Sequence, residues 1–391
     1  MIEVADIFRL HAAAYREQYQ LLPSQHKALE DVVRCRTAAC GGHLWQCERE
    51  QCRYQQYSYH SCGNRHCPKC HGQQTERWLD QQRQRLLPCA YYFVTFTLPA
   101  ALRALVYAHQ KALYGLLLSS AAAALQKLAW DRQYVGGQLA ILAVLHTWTR
   151  TLLDHPHAHL LASAGGLSAE GQQWVHPKNP AFLVPGYALS KIFKGKFRSG
   201  LKKLGLFDQV VPAVWEQNWN VQIQHAGHGE KVLQYLGRYA FRIAISNSRL
   251  ERFDNGQVTF GYRDNKTQQP KHVSVSAEEF IRRFLRHVLP RGFVKVRSYG
   301  LSSSTNTDKL QKARTLLEST QSGLPSSGEL SRQSLAQCSS LNSQAALCPK
   351  CKVGHLVWVR QLAAQRSPVP ERWSRSAPWR RDLSTEQARA P

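Results

Sequence analysis

The sequence predicts an α+β fold, in which an antiparallel sheet is flanked by helices and preceded by a small Cys-rich metal-binding domain. Aromatic and β-branched runs such as YYFVTFTL (91–98) alternate with longer Ala- and Leu-rich runs. Several predicted strands are separated by short loops, which favours antiparallel pairing. Seven of the eleven cysteines fall between Cys35 and Cys70. The start MIEVADIFRL has neither a cationic end nor an apolar core, so we expect no secretory signal, and clustered cysteines then indicate metal binding.

The composition indicates a polyanionic partner. Among 391 residues, 51 Lys and Arg face 26 Asp and Glu, for a formal charge of +25. A large positive charge favours binding to polyanions, of which nucleic acid is the first candidate. The alternative is a basic surface that only faces solvent. Membrane insertion is less expected, because the longest apolar run, 112–125, is broken by serines and a glycine and falls short of the roughly 20 residues a span needs.

Four regions differ in composition. Residues 1–34 carry apolar residues at helical spacing, residues 35–88 form the expected zinc-binding domain, and residues 89–301 form the mixed α/β domain. Residues 302–391 are rich in Ser, Gln, Pro and Arg, so we expect a largely disordered tail. That tail contains a second Cys-x2-Cys pair, Cys348 and Cys351, with Cys338 and His355 nearby, which is half of a metal site.

The elements of the third region follow from period and from Gly and Pro boundaries. Strands are expected at 91–98, 137–148, 157–163, 219–224, 243–246, 257–262, 272–276 and 293–299. Helices are expected at 101–129, 189–205, 229–242 and 277–290. The helix at 189–205 is basic and amphipathic.

The cysteine region predicts a structural zinc site. Cys67 and Cys70 form a Cys-x2-Cys knuckle, and Cys47 and Cys52 form a wider Cys-x4-Cys pair. Two such pairs can close one tetrahedral four-thiolate site. The residues that could replace one ligand or build a second site are Cys62, His66, His60, Cys40 and His43.

The run HPHAHLL at 155–161 predicts a second metal site. His157 and His159 are two apart on a predicted strand and therefore share a face, where two imidazoles can chelate one divalent cation. Such a pair also occurs by chance, and His155 is out of line because Pro156 intervenes. Two histidines hold Mg2+ or Mn2+ poorly, so a third ligand is expected: His146 first, then Gln222, Gln224 or His225.

A pair of tyrosines completes the pattern. Tyr235 and Tyr239 stand four apart on a predicted helix, so both hydroxyls share one face, close to Arg238 and Arg242. Two aromatics in a core stripe would be the structural alternative. A phenol can attack a phosphodiester when a metal or basic groups draw charge from the phosphate. Together with the histidines and the net charge, the pair predicts cleavage of single-stranded DNA through a covalent tyrosyl phosphate.

Five motifs in order resemble transposases of the insertion sequence 91 family, which are rolling-circle enzymes of the HUH type. These are SCGNRHCPKC, HPHAHLLASAGGLS, LSKIFKGKFRSGL, YLGRYAFRIAISNSRL and FIRRFLRHVLPRGFVKVRSYGL. The resemblance covers about Cys35 to Leu301 and implies an HUH-like antiparallel sheet that carries the histidine pair. It also implies that Tyr235 and Tyr239 are nucleophiles, that His157 and His159 bind catalytic Mg2+ or Mn2+, and that the cysteine region binds zinc. The Cys-x4-Cys spacing departs from the family's usual pair, which puts Cys52 in doubt.

The resemblance further implies a prokaryotic, cytoplasmic and nucleoid-associated enzyme that nicks and rejoins single-stranded element ends with a host unwinding machinery. No G-x4-G-K-[ST] motif is present, so no ATP motor is expected. Phosphate contacts are expected from basic residues of the 189–205 helix and its neighbours: Lys191, Lys194, Lys196, Arg198, Lys202, Lys203, Arg238 and Arg242. A second basic patch comprises Arg282, Arg283 and Arg286.

Three alternatives stay open on sequence alone. A non-catalytic zinc-dependent DNA-binding regulator would need the cysteines but neither tyrosine. A nuclease with an acidic triad would draw on residues such as Asp131, Asp154 and Glu230, which form no recognisable arrangement. A rolling-circle replication initiator or relaxase would share the chemistry and differ in the DNA that it cuts.

Overall fold

The computed structural model describes residues 2–70, 72–179, 182–228, 231–232, 237, 243–264, 267–321 and 346–365. Its strands are β1 (Gly42–Cys47), β2 (Gln55–Tyr59), β3 (Tyr91–Thr97), β4 (Ala140–Trp148), β5 (Asp154–Ser163), β6 (Gly166–Leu167), β7 (Trp174–Val175), β8 (Val221–Gly227), β9 (Leu250–Asp254), β10 (Gln257–Arg263), β11 (Pro270–Ser276), β12 (Val296–Gly300) and β13 (Leu356–Leu362). Its helices are α1 (Val4–Gln18), α2 (Pro23–Arg34), α3 (Gly72–Arg85), α4 (Arg103–Ala108), α5 (Gln110–Ala129), α6 (Gly186–Lys203), α7 (Ala213–Glu216), α8 (Ala277–Arg286) and α9 (Thr307–Gln321).

The chain divides into two compact units. The first contains residues 1–35 and 61–344, and the second contains residues 36–60 and 345–391. The second unit therefore combines part of the expected zinc-binding domain with the end of the chain.

The first unit is built around an antiparallel sheet of five strands in the order β12-β4-β5-β3-β8. The hairpin β4–β5 sets His146 opposite His157, and β3 sets Thr95 opposite His159. Because side chains alternate along a strand, this register fixes which residues share each face of the sheet. The predicted α+β class with an antiparallel sheet is confirmed.

One face of the sheet is covered by helices. Tyr92, Val94 and Phe96 on β3 join Leu160 on β5 in a large buried cluster with α5 and α6. Helix α5 is long and apolar enough to span a membrane by length and composition. Most of it is buried within the fold, as expected for a core helix beneath a sheet.

In the described part of the chain, helix α9 covers one end of the opposite face. Leu142 and Leu161 pack in a cluster with Leu310, Ala313 and Leu317 of α9. Farther along the same face of β4 and β5 come His146, His157 and His159, and these border an open groove. Helix α9 thus packs at the end of this face that lies away from the histidines.

A second core in this unit joins the N-terminal helices to a three-stranded sheet. Helices α1 and α2 share a buried cluster with the sheet β11-β10-β9 and with α8. Phe8 on α1 packs edge-to-face on Phe284 of α8, with ring centroids 5.1 Å apart. Ser276 caps the start of helix α8, because its hydroxyl accepts a hydrogen bond from the Glu279 N–H.

The second unit contains a small antiparallel sheet in the order β13-β1-β2. Strand β1 pairs with β2, the next strand along the chain, and with β13, which lies about 300 residues later. The expectation of a largely disordered tail over 302–391 is therefore wrong for two segments, because α9 and β13 both lie in it. The Ser- and Gln-rich composition of the whole region predicts disorder, although these two segments contain enough apolar residues to pack.

Other differences from the predicted elements are local. Residues 243–246 form no strand, and Ser246 instead precedes a short 3-10 turn at Asn247–Arg249. The helix expected at 101–129 is divided at His109 into α4 and α5. Strands β1, β2, β9 and β13 were not predicted: the first three are short and mix polar with apolar residues, and β13 lies in a region whose overall composition indicates disorder.

Candidate active site

Three histidines converge on the open face of the central sheet. One ring nitrogen from each of His146, His157 and His159 lies within 4.8 Å of the others. The ring centroids are separated by 5.5 Å (146–157), 4.6 Å (146–159) and 4.7 Å (157–159). His146 and His159 are buried, and His157 is half-buried. The structure thus brings the expected pair together with the first-choice third residue.

Neighbouring groups orient these rings. The His157 Nδ1 lies 2.6 Å from the His155 carbonyl oxygen, which requires Nδ1–H to donate and leaves the lone pair on Nε2. The His159 Nδ1 lies 3.1 Å from the Thr95 hydroxyl, and its ring stacks on Phe93. Hydrogen bonds at Nδ1 are the usual way in which a protein sets the tautomer of a metal-binding histidine.

The three histidines border a polar groove of about 1030 Å³. Its other lining residues are Phe93, Thr95, Thr97, Trp148, Thr149, Arg150, Thr151, His155, Asn220, Gln222, Gln224, Arg249, Tyr262, Arg263, Asp264 and Gln268. Hydroxyls, amides and three arginines provide donors for phosphate oxygens, while Trp148 and Tyr262 provide rings on which bases can stack. These are the kinds of group with which proteins contact the phosphates and bases of nucleic acids.

The other candidates for a third ligand lie on strand β8. Gln222 and Gln224 line the groove on β8, opposite Thr95 and Phe93 respectively. His225 faces the other side of the sheet, where its ring contacts Tyr92 edge-to-face at 5.4 Å. The one-residue offset between Gln224 and His225 is what separates the two faces.

His155 lines the same groove and contacts an arginine. Its Nδ1 lies 3.3 Å from Arg103 Nη2, and burial together with the Arg103 charge lowers the His155 pKa. Beside it, burial raises the pKa of Asp154, opposed by the charges of Arg286 and Arg103. Asp154 is 3.7 Å from Arg286, which accounts for this carboxylate as an ion-pair partner rather than as one of an acidic triad.

The two predicted nucleophiles, Tyr235 and Tyr239, lie outside the described residues, as do Arg238, Arg242 and Glu230. Described positions close to them are informative. Val232 is fully buried in the cluster that contains Leu142 and Leu161, which share a face with the histidines. A Cβ at Gly237 would lie 3.0 Å from Leu79, whose side chain packs against the same cluster.

One cysteine cluster lies in the first unit and consists of Cys35, Cys62, Cys67 and Cys70. Their sulfurs lie within 4.8 Å of one another, with Cys70 at 3.4 Å from Cys35 and 3.5 Å from Cys62. The Cys67 side chain lowers the pKa of the Cys62 thiol to about 6. Four thiols at this spacing fit a tetrahedral zinc ion.

The other cluster lies in the second unit and consists of Cys47, Cys52, Cys348 and Cys351. Backbone N–H groups of Gly354 and Val353 lower the pKa of the Cys351 thiol to about 6. The prediction that Cys47 and Cys52 share one site with Cys67 and Cys70 is therefore wrong. Pairing of β1 with β13 brings Cys348 and Cys351 next to Cys47 and Cys52. The remaining pair, Cys67 and Cys70, is completed by Cys35 and Cys62.

The histidines offered as replacement zinc ligands have other partners. The His66 Nε2 accepts a hydrogen bond from the Leu289 N–H at 3.2 Å. His43 contacts His60 edge-to-face at 4.8 Å, and His355 pairs with Glu48 at 3.0 Å. Cys40 belongs to neither cluster among the described cysteines.

The basic helix α6 lies on the helix-covered face of the sheet. Phe193 and Phe197 bury it there, so its lysines face away from the histidine groove. Lys194 donates hydrogen bonds to the carbonyls of Trp215 and Gln217 at 2.7 and 3.1 Å. Arg198 lies over the Phe207 ring at 5.1 Å. DNA contacts by α6 stay a prediction. The central sheet lies between the basic residues of α6 and the histidine cluster.

The second predicted basic patch is engaged within the protein. Arg282 and Arg283 both form ion pairs with Glu279, and Arg286 pairs with Asp154. Asp131, a candidate for an acidic triad, instead accepts a hydrogen bond from the Gln133 N–H at 2.9 Å within a turn.

The groove arginines Arg150, Arg249 and Arg263 were not predicted from the sequence, because they lie in loops and on a strand without a run of charged residues.

Comparison with known proteins identifies the family. The family model described as "Transposase zinc-binding domain" matches residues 7–98, and the model described as "Putative transposase" matches residues 140–309. A protein of Sinorhizobium fredii, described as "Putative transposase y4qJ", is 35% identical over 397 residues, covering 96% of this chain and 98% of the relative. The chain belongs to the insertion sequence 91 family of transposases.

A second relative of this transposase is the transposase for insertion sequence element IS801 from Pseudomonas savastanoi pv. phaseolicola. It is 27% identical over 284 residues, covering 69% of the chain and 68% of the relative. No solved structure was found to match the chain. The transposase therefore acts on DNA and has an N-terminal zinc-binding domain, as the sequence motifs predict. Its cysteine clusters support structural zinc.

Proposed function

We propose that this transposase nicks and rejoins single-stranded DNA at the ends of its element through a covalent 5′-phosphotyrosine, in a rolling-circle mode. The observation that carries the proposal is the convergence of His146, His157 and His159 within a polar groove. In a basic member of a transposase family, such a cluster favours metal-assisted phosphodiester chemistry. Tyr235 and Tyr239 are the proposed nucleophiles.

The histidines fit a divalent cation. Three neutral imidazoles within 4.8 Å of one another can bind one ion on one side and leave its other positions to substrate oxygens. When bound, Mg2+ or Mn2+ would polarise a non-bridging phosphate oxygen and help orient the leaving 3′ oxygen. An all-imidazole set suits Mn2+ better than Mg2+, which prefers carboxylate and water oxygens.

The chain's own residues would supply the rest of the reaction. A phenol of Tyr235 or Tyr239 loses its proton as its oxygen forms a bond to phosphorus. The bond from phosphorus to the 3′ oxygen breaks, and that oxygen takes up a proton. One phosphodiester bond replaces another, so the step is reversible without ATP, and the retained 5′ phosphate can be joined to another 3′ end.

Two observations favour attack by the tyrosine on the face of the central sheet that carries the histidines. Val232, three residues before Tyr235, is buried in the same cluster as Leu161, two residues after His159. The groove beside the histidines is polar and is lined by Arg150, Arg249 and Arg263, whose positive charge would attract the phosphates of a DNA strand. We propose that this groove holds the scissile strand, delivered by host unwinding in the cytoplasm.

The test uses the full chain with labelled single-stranded oligonucleotides that tile the element ends, with Mn2+ or Mg2+. We expect a covalent adduct that survives denaturing electrophoresis. Tyr235→Phe combined with Tyr239→Phe should abolish the adduct and leave DNA binding intact. No adduct with either protein would support the DNA-binding regulator instead. An adduct formed on a replication origin but not on element ends would support an initiator or relaxase.

A further inference from the structure

The four cysteines of the second unit have the spacing of an intact metal site. Cys47 Sγ is 3.7 Å from Cys351 Sγ, and Cys52 Sγ is 3.8 Å from Cys348 Sγ. In a tetrahedral zinc site with Zn–S bonds of about 2.3 Å, neighbouring sulfurs are about 3.8 Å apart. Disulfide bonding would need a separation of about 2.05 Å. The arrangement is therefore that of ligands around an ion rather than of paired sulfurs.

The two cysteine pairs lie on loops of matching backbone geometry. The Cys47 N–H donates to the Tyr54 carbonyl at 2.8 Å, and the Cys348 N–H donates to the Gly354 carbonyl at 2.7 Å. The residue after the second cysteine of each pair is left-handed, with φ of 45° at Arg53 and 55° at Lys352. Each loop thus closes on itself and turns both of its sulfurs to one side.

Contacts between the loops hold them face to face. The Glu48 N–H donates to the His355 carbonyl at 3.0 Å, and the His355 N–H donates to the Glu48 carboxylate at 2.9 Å. Strand pairing continues from this point, because Cys47 is opposite Leu356 on β13. A Cβ added at Gly354 would lie 2.8 Å from Cys47 Sγ, so the backbone approaches the cluster closely. The ligand set is therefore supported by a formed protein framework.

We propose that Cys47, Cys52, Cys348 and Cys351 bind a zinc ion of their own, so that the transposase carries two separate four-thiolate sites. The family's zinc-binding model ends at residue 98, and half of this second site lies about 250 residues beyond it. Cys52 and Cys348 are 296 positions apart in sequence. The ion would thus fix the C-terminal segment 346–362 to β1, and a chain ending before Cys348 would lose half of the ligands.

Cobalt substitution of the full chain tests the proposal, because only thiolate ligands produce the intense sulfur-to-cobalt absorption and the histidine cluster adds nothing to it. We expect two equivalents of thiolate-bound cobalt in the wild type. Cys348→Ser with Cys351→Ser should lose half of the absorption, as should Cys62→Ser with Cys67→Ser. Cys40→Ser, in the same unit but in neither cluster, should retain all of it. Full absorption in the Cys348 and Cys351 variant would overturn the proposal.

A second measurement avoids variants that fold poorly. Zinc-loaded wild-type protein is alkylated at rising chelator concentration, and each cysteine is followed by peptide mass spectrometry. We expect Cys47, Cys52, Cys348 and Cys351 to be protected by zinc and to become reactive together. Alkylation of Cys348 and Cys351 in the zinc-loaded protein, at the rate seen after full chelation, would contradict a shared site.

Discussion

His146 lies directly opposite His157 on neighbouring antiparallel strands, with ring centroids 5.5 Å apart. The hairpin β4–β5 therefore builds two thirds of the histidine cluster from a single local pairing, and His159 follows on the same face two residues later. A one-residue shift of this register would turn the β5 histidines toward the helix-covered face. The proposed catalytic site thus depends on the pairing that also forms the core.

Removal of His146 should disable cleavage without disturbing DNA binding. In His146→Ala we expect the cleavage rate to fall by about 100-fold or more, since a metal ligand is lost and even outer contacts of such sites contribute about 10- to 100-fold. The rate is measured on a labelled single strand at saturating Mn2+. His225→Ala is the matched control, because His225 lies on the same sheet but its ring contacts Tyr92 on the face opposite the histidine cluster. Equal losses in both variants would argue against a role for the cluster.

Thr95 should act by positioning His159. Thr95→Val keeps the shape of the side chain and removes the hydroxyl that lies 3.1 Å from His159 Nδ1. We expect Mn2+ affinity, measured by calorimetry, to fall by about 10-fold or more, whereas Thr95→Ser should retain it. Unchanged affinity in the valine variant would show that the hydroxyl does not orient the ring.

His287 should make stability depend on pH. Burial lowers its pKa to about 4, while its ring bridges the Thr147 hydroxyl and the Leu152 carbonyl. The unfolded chain, with a pKa near 6.5, takes up this proton first, so the stabilising contribution is complete above about pH 6.5 and is lost as pH falls toward 4. The loss amounts to roughly 3 kcal/mol over that window.

Urea unfolding at stepped pH measures this effect, with His287→Gln as the comparison because an amide can still donate to the Leu152 carbonyl. We expect the free energy of unfolding to fall less steeply with acidification in the variant. Identical slopes for the two proteins would mean that His287 does not titrate differently on folding.

Groove arginines and helix lysines should affect DNA in different ways. Arg263 is exposed and lines the histidine groove, whereas Lys202 is on α6 across the sheet. We expect Arg263→Gln to slow cleavage and to reduce the salt dependence of single-strand binding by about 0.7 in log–log slope. Lys202→Gln should leave the cleavage rate of bound DNA unchanged. A cleavage defect confined to the Lys202 variant would move the scissile strand to the other face.

Local patterns carried most of what could be predicted from the sequence. The strand around His146 has an apolar run with β-branched residues, and the strand around His157 has an apolar run that ends before Gly165 and Gly166. The spacing of two residues between His157 and His159 predicts that they share a face. The pairing of β4 with β5, which brings His146 to that face, is a hairpin contact. The predicted third residue of the cluster could therefore be reached by reasoning about neighbours in sequence.

Long-range pairings were the part that could not be predicted. Cys47 and Cys348 meet because β13 adds to β1, and a seven-residue strand in a Ser- and Gln-rich tail gives no signal of its partner. Grouping by sequence proximity joined Cys47 to Cys67 instead, since spacing within a pair is informative but pairing between pairs is not. The same limit applies to Arg150 and Arg263, which meet the histidines only through the folded loops.

Mass spectrometry of the transposase after reaction with a single-stranded element end and Mn2+ would locate the nucleophile. We expect one nucleotide-bearing peptide from the 235–239 segment, with the mass of a 5′ phosphate linked to Tyr235 or Tyr239, and no such peptide in His146→Ala. A nucleotide on any other residue, or cut DNA with free 5′ phosphates and an unmodified protein throughout the time course, would contradict the proposed mechanism.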